Sequence, residues 1–556
     1  YTTMSHVLSV YGWMVPQPPR STPLYSSAAS EVYKRKNIRP FSFTRYRKSA
    51  MAQSETAPSG TYDLLIVGGG VNGAGIARDA VGRGASVLMV EQDDLASYTS
   101  SASTKLIHGG LRYLESYEFR LVKEALTERE RLLKMAPHIM WPMRFVLPHS
   151  KLVRPAWMLK AGLFLYDHLA SNMTLPKSRA IDFRTHSAGQ PLKSDYTKGF
   201  VYSDGWVQDS RLVVLNAMDA AERGADVRTR TRLINTTRQN GLWQAELEDR
   251  VTGQTTTVQA RALVNAAGPW VARLLADTLK IPNSKSVRLV KGSHIIVPKV
   301  FDGPQAYIFQ NPDKRIVFAI PYEQKFTLIG TTDIPWKEAP GKVGIAPDEI
   351  SYLCESVNRY FKTAVKEGDV VWSYAGLRPL YDDASANASA VTRDYVLDLD
   401  TQDGAPLLSI FGGKITTYRK LAEHALEKLA PVLPAVAGKS WTANEVLPGG
   451  DIGDGGFDSA LARFSRAAAW LPANLAWRLM RNYGSRAYEI IGEATSLQEM
   501  GTVLGGDLTT REVDYLIQRE WARTAEDVLW RRSKLGLHLN EEEKRKVADY
   551  IEQKVA

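Results

Sequence analysis

The segment that most constrains the fold reads YDLLIVGGGVNGAGIARDAVGRGASVLMVEQDD and spans residues 62–94. Leu64 to Val67 form a short apolar run, which is typical of a strand buried on both faces. A glycine-rich stretch then leads into a helical pattern that ends at Gly84, and a second apolar run, SVLMV, ends in Glu91. This order of strand, glycine loop, helix and strand predicts an α/β domain with a parallel sheet.

The glycines of this segment have the spacing of a dinucleotide-binding fingerprint. Gly68, Gly70 and Gly73 form G-x-G-x-x-G, which allows a tight turn and brings the backbone close to a pyrophosphate at the helix N-terminus. Glu91 is placed to bond ribose hydroxyls, and its carboxylate would repel the 2′-phosphate of NADP. The segment therefore predicts a dinucleotide site, without choosing between FAD and NAD.

Two later segments favour a flavin nucleotide. ARALVNAAGPWV (260–271) is an apolar strand that runs into a turn, and PLLSIFGGKITTYRKLAEHALEKL (406–429) is a strand, a glycine pair and an amphipathic helix. A nucleotide domain assembled from the first, middle and late thirds of the chain is typical of flavoproteins, whereas a NAD-binding unit is usually continuous. The two turns add four expected cofactor-binding residues: Ala267, Gly268, Gly412 and Gly413.

A further segment, STKLIHGGLRYLE (103–115), combines a lysine, a histidine, a glycine pair, an arginine and a tyrosine. Such residues are commoner at a site that binds an anion than in an ordinary core. The glycine pair, Gly109 and Gly110, fits close approach of a ligand to the backbone. Hydroxyl groups expected at the cofactor lie at the start of this segment and just before it: Thr99, Ser100, Ser101 and Ser103.

Composition limits the chemistry that the chain can perform alone. Cys354 is the only cysteine of the 556 residues, which excludes an internal disulfide framework, a cysteine zinc cluster and a CxxC redox pair. Redox chemistry would therefore need a bound cofactor. No HExxH, EF-hand or Cys/His cluster indicates a metal, and no apolar run of about 18 residues predicts a transmembrane helix.

The net charge of +10 fits anionic substrates or an anionic membrane surface, as well as a generally basic exterior. No nucleic-acid motif accompanies this charge. The first fifty residues are especially basic, and Glu31 is their only acidic residue. They fit a transit-like segment or an appendage from a misplaced start, and MAQSETAPSG from Met51 favours the second. We treat residues 1–60 as a disordered N-terminal extension.

Together these segments resemble the FAD-dependent glycerol-3-phosphate dehydrogenases, which are flavoproteins of the glycine/D-amino-acid-oxidase type. The resemblance runs from about Tyr62 to near the C-terminus, and VKGSHIIVP, IGTTD, GLRPL, TRDY and DVLWRRSKLGL also carry it. It implies a Rossmann-like α/β FAD-binding domain, a substrate cap on an antiparallel sheet and a C-terminal helical domain. The implied boundaries are 61–429, with cap segments at about 116–199 and 291–389, and 430–556 for the helical domain.

The resemblance implies oxidation of sn-glycerol 3-phosphate to dihydroxyacetone phosphate on FAD, with electrons passed to membrane quinone. The shorter bacterial enzymes match better than calcium-regulated ones, because no EF-hand loop follows the helical domain. The expected location is then cytoplasmic, with peripheral attachment to the inner face of the plasma membrane. An oxidase that uses oxygen stays open as an alternative, as do a flavin-bearing binding or tRNA-modifying protein and a homodimeric state.

The resemblance also assigns roles to single residues. It implies that His108 accepts the hydroxyl proton and that Arg378 in GLRPL stabilises negative charge on the substrate oxygen. Three residues are expected to bind the substrate and its phosphate: Arg112, Tyr113 and Lys414. His294 in KGSHIIV is as compatible with a satisfied core histidine as with a functional role.

One segment suits a membrane contact. RFVLPHSKLVRPAWMLKAGLFLYDHLA (144–170) mixes basic side chains with aromatic and apolar ones, as interfacial segments on anionic lipid do. A helix in the core of the cap with solvated lysines explains the same pattern, and on sequence alone it is slightly favoured.

Overall fold

The computed structural model describes residues 60–149, 155–282, 285–382, 394–402 and 404–556. The expected N-terminal extension up to residue 59 and the expected cap residues 383–389 lie outside these ranges. In chain order the strands are β1 Tyr62–Val67, β2 Val87–Val90, β3 Leu106–Ile107, β4 Met140–Pro148, β5 Arg179–Asp182, β6 Lys198–Val207, β7 Asp226–Arg228, β8 Thr231–Gln239, β9 Leu242–Asp249, β10 Thr255–Asn265, β11 Val287–Pro298, β12 Ala306–Gln310, β13 Ile316–Tyr322, β14 Phe326–Gly330, β15 Ile334–Trp336, β16 Trp372–Tyr381, β17 Val396–Asp400, β18 Leu407–Phe411, β19 Val503–Gly505 and β20 Leu508–Thr509. The α-helices longer than one turn are α1 Val71–Gly82, α2 Phe119–Met135, α3 Ala156–His168, α4 Asp209–Glu222, α5 Pro347–Asn358, α6 Tyr418–Leu429, α7 Gly456–Ala467, α8 Ala473–Tyr483, α9 Ala487–Ile491, α10 Thr510–Glu520 and α11 Glu541–Val555.

The first sheet is the predicted nucleotide-binding layer, with strand order β17-β18-β10-β1-β2-β7 and the β8–β9 hairpin beside β10. β1 pairs parallel with β2 and β10, and β10 pairs parallel with β18. Helices α1, α4 and α6 cover one face, and the β8–β9 hairpin packs on the other. This burial on both faces explains the continuous apolar run in β1. Because carboxyl ends of parallel strands meet at one edge, the turns after β1, β2, β10 and β18 converge there.

The second sheet is the cap, with order β15-β11-β14-β13-β12-β4-β6-β3, and with β16 and β5 paired to β11 and β6. Its pairing is antiparallel except between β4 and β12, which run parallel. The cap strands extend beyond the expected cap segments of about 116–199 and 291–389. The first part of the sheet begins with β3, before residue 116, and ends at Val207, and the second part begins at Val287. The reason is that β6 is long enough to pair with β4 along its length and with β3 at its end.

The C-terminal part forms a helical domain with a core of its own, as predicted. Helices α7 to α11 and the short β19–β20 pair enclose fully buried apolar side chains. Members of this core are Phe464, Leu479, Leu516, Val547 and Ile551.

Candidate active site

A cavity of about 550 Å³ opens at the edge where the parallel strands end, between the nucleotide sheet and cap strands β11 and β16. Segments that are far apart in the sequence supply its walls. The residues predicted for the site that line this cavity are Gly68, Gly70, Glu91, Thr99, Ser100, Ser103, His108, Tyr113, Ala267, Gly268, Arg378, Gly412, Gly413 and Lys414. The fold therefore brings most of the predicted residues to one place.

The glycine turn fits a bound pyrophosphate. Gly68 has φ of +118°, and a Cβ added there would lie 2.5 Å from the carbonyl oxygen of Ala266. Gly73 is required by packing and does not line the cavity, since its Cβ would lie 1.9 Å from Gly68 O. Helix α1 begins next to Gly70 and presents its N-terminal turn to the cavity. Backbone N–H groups and the helix dipole at such a turn favour an anion.

Glu91, at the end of β2, is bonded to the glycine turn and to its own loop by backbone donors. Its carboxylate accepts hydrogen bonds from Gly69 N–H at 2.7 Å and Asp93 N–H at 2.9 Å. Desolvation raises the pKa of Glu91 to about 7 despite these two bonds. The cavity next to it is lined by residues 231–233, so this end has the polarity expected for an adenosine ribose.

We expect FAD binding to depend on pH, because the pKa of Glu91 lies near 7. Ribose hydroxyls donate to an ionised carboxylate, so we expect the FAD dissociation constant of the full-length apoprotein to rise about tenfold from about pH 8 to about pH 6. The stability of the folded apoprotein depends on pH in the opposite direction to FAD binding. The raised carboxyl pKa stabilises the folded state at low pH, and this contribution is lost as pH rises through about 7. Titration of FAD by flavin fluorescence at each pH measures the effect, and Glu91→Gln is expected to abolish the pH dependence. An unchanged pH dependence in that variant would remove Glu91 from the ribose site.

The hydroxyl groups of the Ser/Thr loop bond to several neighbouring segments of the chain. Thr99 Oγ1 donates to Leu377 O at 2.7 Å, and Ser103 Oγ donates to Asp209 at 2.7 Å. Ser100 Oγ accepts from Val71 N–H at 3.0 Å, so it caps the first turn of α1 at the cavity wall. Ser101 Oγ donates to Tyr98 O and does not line the cavity. These hydroxyls therefore shape the wall between the cap and the nucleotide sheet.

The STKLIHGGLRYLE segment runs along the cavity floor. His108 lines the cavity, and its backbone N–H donates to Thr416 Oγ1 at 3.3 Å. Gly109 and Gly110 do not line the cavity. A Cβ added to Gly109 would lie 2.5 Å from Leu126, and a Cβ added to Gly110 would lie 2.2 Å from the Tyr113 ring. Both glycines are therefore packed tightly against protein side chains. Arg112 lies in the short turn Leu111–Leu114, and its side chain lies outside the described part of the structure.

Cationic side chains lie at the cap end of the cavity. Lys414 Nζ lies 4.0 Å from the centroid of the Tyr113 ring, and both residues line the cavity. Arg378 on β16 forms an ion pair with Asp333, and its Nη2 donates to Thr331 Oγ1 at 2.7 Å. The guanidinium is thereby fixed in direction while a quarter of the side chain stays exposed. This end of the cavity suits a small anion.

His294 and Asn72 are among the cavity residues to which the sequence assigned no role. His294 on β11 is buried, stacks on Tyr374 with centroids 4.7 Å apart, and has Nε2 2.9 Å from Thr104 Oγ1. Its Nδ1 has no hydrogen-bond partner among the described residues, and burial together with Arg378 and Lys105 holds its pKa well below the usual value. Asn72 donates to Gly412 O at 3.2 Å, and its buried Oδ1 likewise lacks a described partner.

Comparison with known proteins agrees with this geometry. Residues 63–419 match the family described as FAD dependent oxidoreductase, and residues 440–556 match the C-terminal domain of alpha-glycerophosphate oxidase. A glycerol-3-phosphate dehydrogenase of Pseudomonas aeruginosa is 53% identical over 90% of this chain and 98% of its own length. The chain belongs to the FAD-dependent glycerol-3-phosphate dehydrogenase family. The family predicted from the sequence motifs is therefore confirmed.

Other members of the family, and their structures, complete the comparison. A D-erythritol 1-phosphate dehydrogenase of Brucella abortus is 51% identical over 90% of this chain and 99% of its own length. The crystal structure of a glycerol-3-phosphate dehydrogenase of Bacillus halodurans with FAD has a TM-score of 0.70 and 28% identity, and covers 89% of this chain and 95% of that one. FAD is the cofactor of this family, and the glycine turn, the α1 N-terminus and Glu91 are the residues that would hold it here.

Proposed function

We propose that the protein oxidises sn-glycerol 3-phosphate to dihydroxyacetone phosphate. The observation that carries this proposal is the placement of Arg378, Lys414 and two imidazoles at the cap end of a cavity whose other end fits FAD. Bound FAD supplies the hydride acceptor for oxidation of the secondary alcohol. The Pseudomonas aeruginosa relative is named after this substrate, as a glycerol-3-phosphate dehydrogenase.

The cations bind and orient the substrate. Lys414 supplies positive charge for a phosphate dianion, and Arg112 is the second cation that the family resemblance implies. Arg378 is held by Asp333 and Thr331, so its guanidinium is oriented before substrate arrives. A donor fixed in this way stabilises negative charge that develops on the substrate oxygen without a reorganisation cost.

An imidazole accepts the hydroxyl proton. The sequence singled out His108, and the cavity contains His294 as well. We assign the role to His294, because its lowered pKa keeps the ring neutral near pH 7 and its Nε2 lies 2.9 Å from Oγ1 of Thr104, which also lines the cavity. A neutral ring nitrogen in a cavity is able to take a proton from a bound hydroxyl.

D-Erythritol 1-phosphate is a second candidate substrate, because a relative of similar identity carries that activity in its name. Both compounds combine a phosphate with a secondary alcohol, and they differ in chain length. We expect kcat/KM to favour glycerol 3-phosphate by at least about tenfold. Steady-state rates with each compound and a soluble dye as acceptor measure the ratio, and a preference for the tetritol phosphate would replace the proposed substrate.

Membrane quinone is the acceptor that we propose, with oxygen as the competing one. The test is anaerobic turnover with a ubiquinone analogue compared with aerobic turnover without it. We expect turnover with quinone and little hydrogen peroxide in air. One peroxide per substrate oxidised, without another acceptor, would instead identify an oxidase.

Helix α3 supports peripheral attachment to a membrane, which we propose to be the inner face of the plasma membrane. Its outer side exposes large apolar groups, with Trp157 72% and Phe164 61% exposed, while Leu159 and Leu163 pack inward. Within the described ranges, no helix is long and apolar enough to cross a bilayer. Contact through an exposed aromatic face beside basic residues fits an interfacial helix.

Replacing both Trp157 and Phe164 with Ser is expected to lower binding to anionic phospholipid vesicles by about tenfold or more, because burial of each aromatic side chain in lipid is lost. Activity with a soluble acceptor is expected to stay unchanged. Vesicle sedimentation measures the binding, and Val251→Ser is the matched control, since Val251 is 71% exposed in a different part of the molecule. Equal binding by all three proteins would contradict this membrane face.

Sedimentation velocity in the absence of lipid would test the homodimer that the sequence left open.

A further inference from the structure

Residues 91–98, which we call the cofactor loop, form much of the wall at the nucleotide end of the cavity. Glu91, Gln92 and residues 96–98 line this end. The loop is bonded to the glycine turn, because Ala96 N–H donates to Gly69 O at 3.2 Å and Gly69 N–H donates to Glu91. A displacement of this loop would therefore change the shape of the pyrophosphate and ribose sites together.

The cofactor loop is bonded to the C-terminal domain through three residues that we call the Asp94 cluster. Asp94 accepts from Arg531 Nε at 2.6 Å and from Arg532 Nη2 at 2.8 Å. The side chain of Asp94 is 1% exposed and that of Arg532 is fully buried. None of the three occurs among the described residues that line the cavity, so any effect of the cluster on the cavity is indirect.

The C-terminal turn that carries the two arginines, a π-helical stretch at Asp527–Arg532, also reaches the other wall of the nucleotide end. Asp527 accepts from Arg230 Nη2 at 2.6 Å, and Arg230 N–H donates to Asp93 O at 2.8 Å. Thr231, the next residue, lines the cavity. One turn of the C-terminal domain is thus linked to both segments that surround the ribose end.

The turn is itself held in place by contacts outside the cluster. Trp530 stacks on Trp372 of β16, with ring centroids 4.2 Å apart. Arg531 Nη1 donates to Glu526 at 2.6 Å, and Arg532 Nε donates to Glu520 O at 3.1 Å. Charged groups removed from water are tolerated only with good geometry and full pairing. Two fixed guanidinium groups therefore confine Asp94, and with it the cofactor loop, to a narrow range of positions.

We propose that the C-terminal domain holds the cofactor loop in its FAD-binding conformation through the Asp94 cluster, which makes Asp94 and Arg532 positioning residues for FAD. The proposal concerns retention of the cofactor and does not depend on which phosphorylated polyol is oxidised. Because coupling between binding events is reciprocal, bound FAD is expected to stabilise the docked C-terminal turn in return.

The test uses purified holoenzyme of the full chain and its Asp94→Asn and Arg532→Met variants. Each sample is heated, and two midpoint temperatures are recorded. Flavin fluorescence gives the temperature of flavin release, and circular dichroism gives the temperature at which secondary structure is lost. We expect flavin release to precede unfolding in both variants and to coincide with it in the wild type. The rate of FAD release after dilution at a fixed temperature is expected to rise about tenfold in each variant, which corresponds to about 1.4 kcal/mol.

Arg478→Met is the matched control. Arg478 forms a buried pair with Glu512 inside the C-terminal domain, at 2.6 Å, and has no contact with the cofactor loop among its described bonds. It is expected to lower both temperatures together, with FAD release within about twofold of wild type. The same behaviour in the Asp94 and Arg532 variants would overturn the proposal and leave the cluster with a structural role only. Should Arg532→Met fail to fold, the nearly isosteric Asp94→Asn decides the question.

Discussion

Replacing Arg378 with Met is expected to lower kcat/KM for glycerol 3-phosphate by about 10²–10³-fold while FAD stays bound. The guanidinium lines the cavity at the end opposite Glu91 and is oriented by Asp333 and Thr331. Methionine keeps much of the side-chain volume and removes the positive charge together with the guanidinium donors. The loss therefore falls on transition-state stabilisation, and kcat is expected to drop along with kcat/KM.

Arg288→Met provides the matched control for this prediction. Arg288 lies on neighbouring strand β11, pairs with Asp382 at 3.0 Å and has almost the same exposure as Arg378, but it does not line the cavity. Its variant is expected to retain wild-type kcat/KM within about twofold. Arg378→Lys is expected to recover only part of the activity, because a single ammonium does not reproduce the guanidinium fork. Equal activity of the two Met variants would remove Arg378 from the site.

Replacing His294 with Asn is expected to lower kcat by about 10²–10⁴-fold, because the variant has no ring nitrogen to accept the hydroxyl proton. Asn retains a polar group near Thr104, so the strand is expected to keep its pairing. His108→Asn is expected to have a smaller effect on kcat and a larger one on KM. Steady-state kinetics over a range of pH measures both variants.

The pH profile separates a proton acceptor from a residue that only supports the cavity. The lowered pKa of His294 in the substrate-free protein means that the neutral ring persists well into acid, so the wild-type rate is expected to fall only when pH drops far enough to protonate it. His294→Asn is expected to lose this acidic limb of the profile. If His108→Asn gives the greater loss in kcat and removes the acidic limb, the role returns to His108, the residue that the sequence singled out.

The nucleotide half of the site was predictable from sequence because its signals are local. The apolar run of β1, the glycine spacing and Glu91 lie within a single strand–helix–strand unit, and the structure places them as that unit requires. His294 was not assigned a role because β11 is buried on both faces: Ile295 and Ile296 belong to different cores. Alternation along such a strand carries no information about which side faces the cavity.

Other features needed the fold, because they join residues that are distant in the sequence. Asn72 bonds Gly412 across 340 positions, and Arg532 bonds Asp94 across 438. Gly109 and Gly110 predicted close approach of a ligand, and the protein groups that pack against them are Leu126 and Tyr113. A glycine pair in a sequence indicates where a side chain would not fit. It does not indicate which neighbouring group occupies that space.

The most direct test of the proposed activity is a single turnover without oxygen. The purified holoenzyme is mixed anaerobically with one equivalent of glycerol 3-phosphate, and the visible absorbance of oxidised flavin and the dihydroxyacetone phosphate formed are measured together. The proposal predicts rapid loss of the flavin absorbance with one dihydroxyacetone phosphate per flavin reduced. Flavin that stays oxidised with glycerol 3-phosphate, while D-erythritol 1-phosphate bleaches it, would contradict the proposed substrate.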